Sequence, residues 1–306
     1  MQAVQLFDYG SATGLTYTTL SSPEAQVGEL RVVIHAAAVN PLELKLASGM
    51  MREMMPLQFP WTPGIDFSGV VDQVGEGVTG FQVGDAVYAS LSGGGAYAEA
   101  ITAAATLFSH KPPQLSHVEA ASLAGVAQTA WQALFDEGQL EAGQRVLIHG
   151  ASGGVGTLAV QLAHWKGATV LATASQANAD FVRGLGADQV LDSRDLAELA
   201  TIEPVDLVID AVGGESQGAL YPLIKPGGKL LTLSQPPSEA LAKARQVQAS
   251  MVFTRPSGDG LRAFEQALSA GAVKPLVDQT FPLQDVAQAW ARQSQPGVRG
   301  KLVLIP

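Results

Sequence analysis

The strongest chemical signal in the sequence is one glycine-rich segment, Gly150-Ala151-Ser152-Gly153-Gly154-Val155-Gly156. It lies between an apolar stretch and a run with helical character. Glycine permits a tight turn and a close approach of backbone to a diphosphate, and the free N–H groups at a helix start attract that anion. The segment therefore predicts a dinucleotide site with four contacting residues: Ser152, Gly153, Gly154 and Val155.

The spacing of this segment leaves a second interpretation open. It is Gly-x-x-Gly-x-x-Gly, whereas the common dinucleotide fingerprint is Gly-x-Gly-x-x-Gly. Glycines can also serve packing alone, because they let a helix touch a strand. The strand expected before the segment, the helix expected after it and the further strands that follow favour the binding site.

The residues at the end of the next predicted strand indicate which dinucleotide would bind. NAD sites usually carry Asp or Glu about 20 residues after the glycines, on the ribose hydroxyls. Residues 173–178 contain no acid, and the first one, Asp180, falls in the helix expected next. A carboxylate there would cost on the order of several kcal/mol beside a 2′-phosphate. Its absence permits NADP, so we expect NADPH as the cofactor.

Several polar side chains could bind the 2′-phosphate of that cofactor. The candidates are Ser175, Asn178, Arg183, Ser193 and Arg194. A charge-assisted hydrogen bond contributes about 1.5–3 kcal/mol, so one well-placed arginine would give a roughly tenfold to hundredfold preference for NADPH over NADH. Alternatively, Arg183 or Arg194 could be a solvated surface charge.

The elements around the glycine segment alternate between strand and helix. The helix expected at 157–166 is ended by Gly167. Such alternation is typical of a doubly wound parallel sheet covered on both faces, the Rossmann fold. The predicted strands are residues 146–148, 170–173, 189–191, 207–210, 229–233 and 250–254.

The chain ends have a different pattern, with short strands separated by Gly and Pro. Residues 30–38, 69–74, 85–89 and 96–102 are predicted strands, which favours a β-rich, barrel-like domain. Ser116 and Glu119 fit a capping box, and two helices are expected from there to Trp131. Short β signals at 281–282 and 302–305 flank a helix at 284–293. We therefore expect residues 1–118 and 273–306 to form one domain, with the doubly wound domain, 119–272, inserted between them.

Composition excludes several functional classes. The chain has 306 residues, enough for about two domains, with 47% hydrophobic and 15% charged residues. A net charge of −10 makes nucleic acids and anionic membranes poor partners. The absence of cysteine removes disulfides, thiol nucleophiles and thiolate metal sites. No signal peptide or apolar span is evident, so we expect a cytoplasmic protein.

Short motifs spread along nearly the whole chain resemble a known family. They occur in family order at residues 38–41, 63–71, 83–87, 95–99, 119–121, 128–131, 150–163, 185–188 and 300–303. Together they resemble the zinc-lacking quinone oxidoreductase-like branch of the medium-chain dehydrogenase/reductase superfamily. The resemblance implies an α/β protein in which a Rossmann domain is inserted into a GroES-like β-barrel domain.

The resemblance also bears on metal binding. Zinc-bearing members of the superfamily have a Gly-His-Glu stretch that corresponds here to Gly64-Ile65-Asp66. The histidine ligand is replaced by Ile65, no cysteine exists, and the five histidines lack ligand spacing. We therefore expect no metal site. Asp66 and Glu43 are then expected to serve structure or hydrogen bonding.

The family pattern assigns roles to two side chains. Asn40 would donate a hydrogen bond to the substrate carbonyl oxygen, and Thr129 would bond the nicotinamide ribose or carboxamide. The alternatives are a turn residue before Pro41 and a helix hydroxyl bonded to its own backbone. The resemblance further implies nicotinamide contacts from Val212, Leu233 and Ser234, and a homodimer paired near residues 251–253.

The chain departs from the family where some members have cleft tyrosines. None occurs between Asn40 and Trp61, where Lys45 and four methionines lie instead. The leading hypothesis is an NADPH-dependent, metal-independent oxidoreductase that transfers hydride to quinones or other conjugated carbonyls. The alternatives are a reductase of enal or enoyl double bonds and a non-catalytic NADPH-binding sensor.

Overall fold

The computed structural model describes residues 1–10 and 14–306, without the side chain of Leu196. The chain forms two compact units. Met1–Gly125, Pro256–Ala263 and Pro275–Pro306 form the first, and Val126–Arg255 with Phe264–Lys274 forms the second. The first unit thus contains both chain ends, extends past residue 118 and includes a short segment near residue 260.

The helices and strands are numbered in chain order. The strands are β1 (Gln2–Gln5), β2 (Thr16–Thr19), β3 (Glu29–Ala38), β4 (Asp66–Val74), β5 (Ala86–Ser90), β6 (Ala100–Ala104), β7 (Phe108–His110), β8 (Arg145–His149), β9 (Thr169–Ala174), β10 (Gln189–Asp192), β11 (Val205–Asp210), β12 (Ile224–Thr232), β13 (Gln248–Met251), β14 (Val277–Pro282) and β15 (Lys301–Ile305). The helices are α1 (Pro41–Ala47), α2 (His117–Trp131), α3 (Gly154–Lys166), α4 (Ala179–Arg183), α5 (Leu196–Leu199), α6 (Glu239–Arg245), α7 (Gly258–Ser269) and α8 (Val286–Gln293). Within residues 1–10 and 14–306, no helix is long and apolar enough to cross a bilayer.

The first unit is built on a seven-stranded, mainly antiparallel sheet. Its order is β14-β15-β3-β4-β5-β7, with β6 paired to β3, and β1 and β2 form a separate pair. Strand β3 alternates buried Leu30, Val32 and Ile34 with more exposed residues, as the period of two in a strand requires. Strand β15, near the chain end, pairs with β3. This unit confirms the β-rich first domain that the sequence predicts.

The second unit contains six parallel strands in the order β10-β9-β8-β11-β12-β13. Counted from β8, this is the order 3-2-1-4-5-6 of the Rossmann fold, so the doubly wound prediction is confirmed. The strand order reverses between β8 and β11. Ligands of open α/β sheets bind at such a point, beyond the carboxyl ends of the strands. The glycine segment follows β8 directly.

Several predicted elements are wrong in their details, among them the strand expected at 96–102, which begins only at Ala100. Helix α3 begins at Gly154 and not at residue 157, because Gly153 is still extended (φ −79°, ψ 174°) and the following residues are helical. One helix, α2, runs to Trp131 where two were expected, and it continues as a π-helical turn, Gln132–Glu137. Strand β13 ends at Met251, the register partner of Thr232, and lies earlier than the predicted 250–254.

The predicted capping box at the start of α2 is present. Ser116 N donates to Glu119 Oε2 at 2.8 Å, and Glu119 N donates to Ser116 Oγ at 3.2 Å. We expect Ser116→Ala to lower the free energy of unfolding by about 1 kcal/mol, because one orphan N–H at the helix start loses its acceptor. Chemical denaturation measures this, and Ser116→Thr, which keeps the hydroxyl, is the control. Equal losses in the two variants would contradict the capping role.

Candidate functional site

The glycine turn after β8 is packed against its neighbours at two of its glycines. Gly150 has a φ of 88°, in the left-handed region, and a Cβ there would lie 2.7 Å from Val212 Cγ2. A Cβ at Gly156 would overlap the carbonyl oxygen of Gly150. These two glycines are therefore explained by the tight turn and by the contact between turn and helix.

Gly153 differs, because the protein leaves the space beside it open. Its φ of −79° suits any residue, and a Cβ there would meet no protein atom nearer than Gly150 O, at 3.6 Å. In the described part of the chain, no side chain caps α3, and the N–H groups of Gly154, Val155 and Gly156 have no acceptor. Open space beside free N–H groups at a helix start fits a diphosphate.

At the carboxyl end of β9, the structure brings two of the predicted 2′-phosphate ligands together. Ser175 follows β9, and Ser193 N donates to Ala174 O at 3.0 Å, so both serines stand at neighbouring strand ends. Asn178 is buried, and its N–H donates to Ser175 O at 2.8 Å. Asn178 is thus part of the turn that holds Ser175.

The two candidate arginines differ in their partners. Arg183 bonds Asp180 Oδ1 at 2.6 Å, whereas Arg194 is 78% exposed and its Nε lies 3.5 Å from Asp192 Oδ1. Asp192 is in register with Ala174 and also accepts the N–H of Arg194. Arg194 therefore places a positive charge beside Asp192, the carboxylate that lies nearest to the end of β9 in the sheet register.

The loop after β11 is held by Asp210. Its Oδ1 accepts from Val212 N at 3.0 Å and Gly213 N at 2.8 Å. Leu233 N donates to Asp210 O, which ties the end of β12 to the same strand end. Ser234 Oγ is buried with no hydrogen-bond partner among the described residues, and it lies close enough to Gly213 that a Cβ there would overlap it. Val212, Leu233 and Ser234 therefore gather at the switch point.

Thr129 lies near the end of α2, within the second unit. Its Oγ1 is 2.7 Å from Thr254 Oγ1, a partner that the sequence did not indicate. Asn40, the other predicted catalytic residue, belongs to the first unit.

Asn40 is the hub of a buried polar cluster in the first unit. It is the N-cap of α1, and its Nδ2 donates to Glu43 Oε1 at 3.1 Å and to Asp66 Oδ2 at 3.0 Å. Its Oδ1 accepts from Lys301 Nζ. Both amide hydrogens are therefore in use, and donation to a substrate would require Asn40 to exchange one of these bonds.

Glu43 has four hydrogen-bond donors around its carboxylate. Besides the two from Asn40, Ile65 N donates at 3.2 Å and Tyr97 OH at 2.5 Å. Complete burial raises the pKa of Glu43 to about 7, and the donors oppose that rise by stabilising the anion. Burial, together with the charge of Glu43, raises the pKa of Tyr97 well above its ordinary value.

Lys301 brings a cation to this cluster from the far end of the chain. Its Nζ donates to Val39 O at 2.6 Å and lies 3.9 Å from Asp66 Oδ2, and only 5% of the residue is exposed. Burial lowers the pKa of Lys301 and raises that of Asp66, while their mutual attraction opposes both shifts. Asp66 Oδ1 has no hydrogen-bond partner in the described chain, and it lies against Gly125, where a Cβ would come within 2.5 Å. Asp66 and Glu43 thus serve hydrogen bonding, as expected.

Sequence reasoning missed Lys301 and Tyr97 as members of this cluster. Both fall inside the family-like stretches at 300–303 and 95–99, which was the available signal. Over the residues that the structure describes, no group of three or more His, Asp or Glu side chains could hold a metal ion.

Comparison with known proteins identifies the family. Profiles described as "Alcohol dehydrogenase GroES-like domain" and "Zinc-binding dehydrogenase" match residues 26–113 and 185–304. The Homo sapiens protein named NAD(P)H oxidoreductase RTN4IP1, mitochondrial, is 35% identical, covering 90% of this chain and 81% of its own. The structure of the quinone oxidoreductase from Coxiella burnetii superimposes with a TM-score of 0.93 at 31% identity, covering 100% of this chain and 99% of its own.

The chain belongs to the quinone oxidoreductase-like branch of the medium-chain dehydrogenase/reductase superfamily. The predicted family and fold class are confirmed, and this family member is an oxidoreductase. A third relative, the crystal structure of CurK enoyl reductase, has a TM-score of 0.92 at 27% identity and covers 99% of this chain and 98% of its own. The solved structures that are similar to this chain therefore carry two kinds of named activity, quinone oxidoreductase and enoyl reductase.

Proposed function

We propose that this quinone oxidoreductase-like protein is an NADPH-dependent, metal-independent enzyme that transfers hydride to quinones or other conjugated carbonyls. The observation that carries the proposal is the uncapped start of α3, where Gly153 leaves open space beside three free N–H groups. When bound, the nicotinamide supplies a hydride. A conjugated acceptor needs no metal, because conjugation spreads the charge that develops on its oxygen.

The chain's own residues bind the cofactor along one edge of the parallel sheet. The first turn of α3 holds the diphosphate. Ser175, Ser193 and Arg194 hold the 2′-phosphate at the ends of β9 and β10, and Asn178 keeps Ser175 in place. The nicotinamide contacts the loop after β11 and the end of β12, at Val212, Leu233 and Ser234. The Thr129 hydroxyl adds a hydrogen bond to the nicotinamide ribose or carboxamide. On the substrate side, Asn40 orients the carbonyl oxygen once it exchanges one of its two amide hydrogen bonds, to Glu43 or Asp66, for a bond to the substrate. The apolar Ile65 takes the place of the histidine ligand of zinc-bearing relatives.

Two candidate substrates are supported by relatives. The human relative is named an NAD(P)H oxidoreductase and the Coxiella burnetii relative a quinone oxidoreductase. The CurK neighbour favours a second candidate, reduction of a carbon–carbon double bond conjugated to a carbonyl.

NADPH consumption is to be followed with a panel of quinones and a matched panel of enones and enoyl thioesters. Faster turnover of the quinones supports the first candidate, and turnover of the enoyl panel alone supports the second. Tight NADPH binding with no turnover in either panel would leave only a sensor.

Cofactor preference is testable at the two arginines. We expect Arg194→Ala to weaken NADPH binding about tenfold and to leave NADH binding unchanged, because a charge-assisted bond to the 2′-phosphate is lost. Arg183→Ala tests the second candidate in the same assay, and a smaller effect is expected because its guanidinium bonds Asp180 Oδ1 at 2.6 Å. The dissociation constants of NADPH and NADH for the wild type and both variants are measured by cofactor fluorescence. Equal affinities of the wild type for NADPH and NADH would contradict the assignment of NADPH.

Assembly and location complete the proposal. Strand β13 is the last strand of its sheet in the described chain, and Phe253, just beyond it, is 60% exposed. Pairing of two such edges would form the homodimer expected for the family. Light scattering at two concentrations tests the dimer.

The proposed cytoplasmic location is tested by cell fractionation, because the human relative is named mitochondrial.

A further inference from the structure

A line of four hydrogen bonds joins the glycine turn after β8 to the loop after β11. Gly150 N donates to Thr173 Oγ1 at 3.1 Å, and Thr173 Oγ1 lies 2.7 Å from His149 Nδ1. On the other side of the ring, His149 Nε2 lies 3.0 Å from Ser216 Oγ, which donates to Gly213 O at 2.8 Å. The imidazole therefore stands between the two loops that border the switch point.

The direction of every bond in this line follows from counting hydrogens. Ser216 gives its single hydroxyl hydrogen to Gly213 O, so it can only accept from His149, and the ring carries its proton on Nε2. Nδ1 then has a lone pair, to which the Thr173 hydroxyl donates. Thr173 Oγ1 is left to accept from Gly150 N. One tautomer of His149 satisfies all of these groups.

The surroundings of His149 favour this uncharged tautomer. The residue is buried, and burial lowers its pKa. The charged group that faces it is Asp210, its register partner on β11, whose Oδ1 already accepts the two loop N–H groups. The groups presented from β9 and from the segment after β11 are hydroxyls, of Thr173 and Ser216. A second proton, on Nδ1, would break the bond from Thr173.

A packing contact reinforces the same connection. Gly150 lies so close to Val212 that a Cβ at Gly150 would come within 2.7 Å of Val212 Cγ2. A shift of the loop after β11 would therefore press on the glycine turn directly. The hydrogen bonds through His149 and this contact restrain the same two loops.

We propose that His149 is a positioning residue, which carries its proton on Nε2 and fixes the glycine turn and the loop after β11 relative to each other. The inference rests on the proposed function, because the two loops are those assigned to the diphosphate and the nicotinamide. His149 is proposed to act on both groups indirectly. It acts through Thr173 on the Gly150 amide and through Ser216 on Gly213, so that one geometry of the two loops is present before the cofactor binds.

The experiment compares Thr173→Val with Thr173→Ser. Valine keeps the shape of threonine but removes the hydroxyl, whereas serine keeps the hydroxyl. We expect Thr173→Val to raise the NADPH dissociation constant about tenfold and Thr173→Ser to stay within about twofold of the wild type. Ser216→Ala, at the other end of the line, is expected to speed hydrogen exchange at the Gly150 amide. In the wild type, ¹⁵N NMR should show His149 protonated on Nε2 alone at neutral pH.

Each outcome separates this inference from the proposed function. If the wild type binds NADPH and Thr173→Val binds it equally well, the positioning role is wrong and the proposed function stands. A proton on Nδ1, or unchanged Gly150 exchange in Ser216→Ala, overturns the positioning role in the same way. If the wild type binds neither NADPH nor NADH, the proposed function fails first, and the role of His149 in cofactor binding fails with it.

Discussion

Replacing Lys301 by methionine is expected to lower the free energy of unfolding by about 3–5 kcal/mol, the usual effect of removing one partner of a buried ion pair. The Lys301 ammonium is almost fully buried beside Asp66 and bonds Asn40 Oδ1 and Val39 O. Methionine has a similar volume but no charge and no donor. The carboxylate of Asp66 would remain buried without its cation, and the two oxygens would lose their donor. Denaturant titration followed by circular dichroism measures the change.

The controls separate the lost charge from lost packing. Lys45→Met changes the same residue type on a partly exposed position of the same unit, and we expect an effect below about 0.5 kcal/mol. The double variant Lys301→Met with Asp66→Asn should recover part of the loss, because the unpaired carboxylate is removed as well. A loss in Lys301→Met no larger than that in Lys45→Met would show that the buried cation does not stabilise the cluster.

Replacing Gly153 by valine is expected to weaken NADPH binding about 100-fold while leaving the free energy of unfolding nearly unchanged. The backbone at Gly153 suits valine, and the nearest protein atom to a Cβ would be 3.6 Å away. The added side chain would fill space that the protein leaves open beside the first turn of α3. The diphosphate could then no longer reach those N–H groups, and each lost charge-assisted bond costs about 1.5–3 kcal/mol.

Gly218→Val is the matched control in the same unit. Gly218 is exposed, and the nearest atom to its Cβ is Leu241 Cδ1 at 4.0 Å. It should bind NADPH as the wild type does. A folded Gly153→Val protein with wild-type affinity would mean that the open space beside α3 is not where the diphosphate lies.

The parallel sheet and its glycine turn could be predicted because their signals are local. Apolar runs mark the strands, Gly167 ends α3 with a φ of 84°, and Ser116 with Glu119 starts α2. The π-helical turn after Trp131 has no comparable local signal. Nor does the continuity of α2 from His117 to Trp131, where two helices were expected.

The polar clusters could not be predicted from local pattern. Asn40 and Lys301 bond each other across 261 positions of sequence, and His149 reaches Ser216 across 67. Nothing in the spacing of either pair indicates contact. The glycine segment could be predicted only in part. Its sequence left packing and cofactor binding as alternatives. In the structure, Gly150 and Gly156 pack closely against neighbouring atoms, whereas Gly153 leaves open space beside the start of α3.

The free N–H groups at the start of α3 are proposed to bind the diphosphate of a reduced nicotinamide dinucleotide. Calorimetric titration of the intact protein with NADPH and, separately, with NADH tests this proposal. We expect saturable binding of NADPH with one site per chain, weaker binding of NADH, and loss of the NADPH signal in Gly153→Val. If neither dinucleotide gave saturable heat, the diphosphate would not bind at the start of α3.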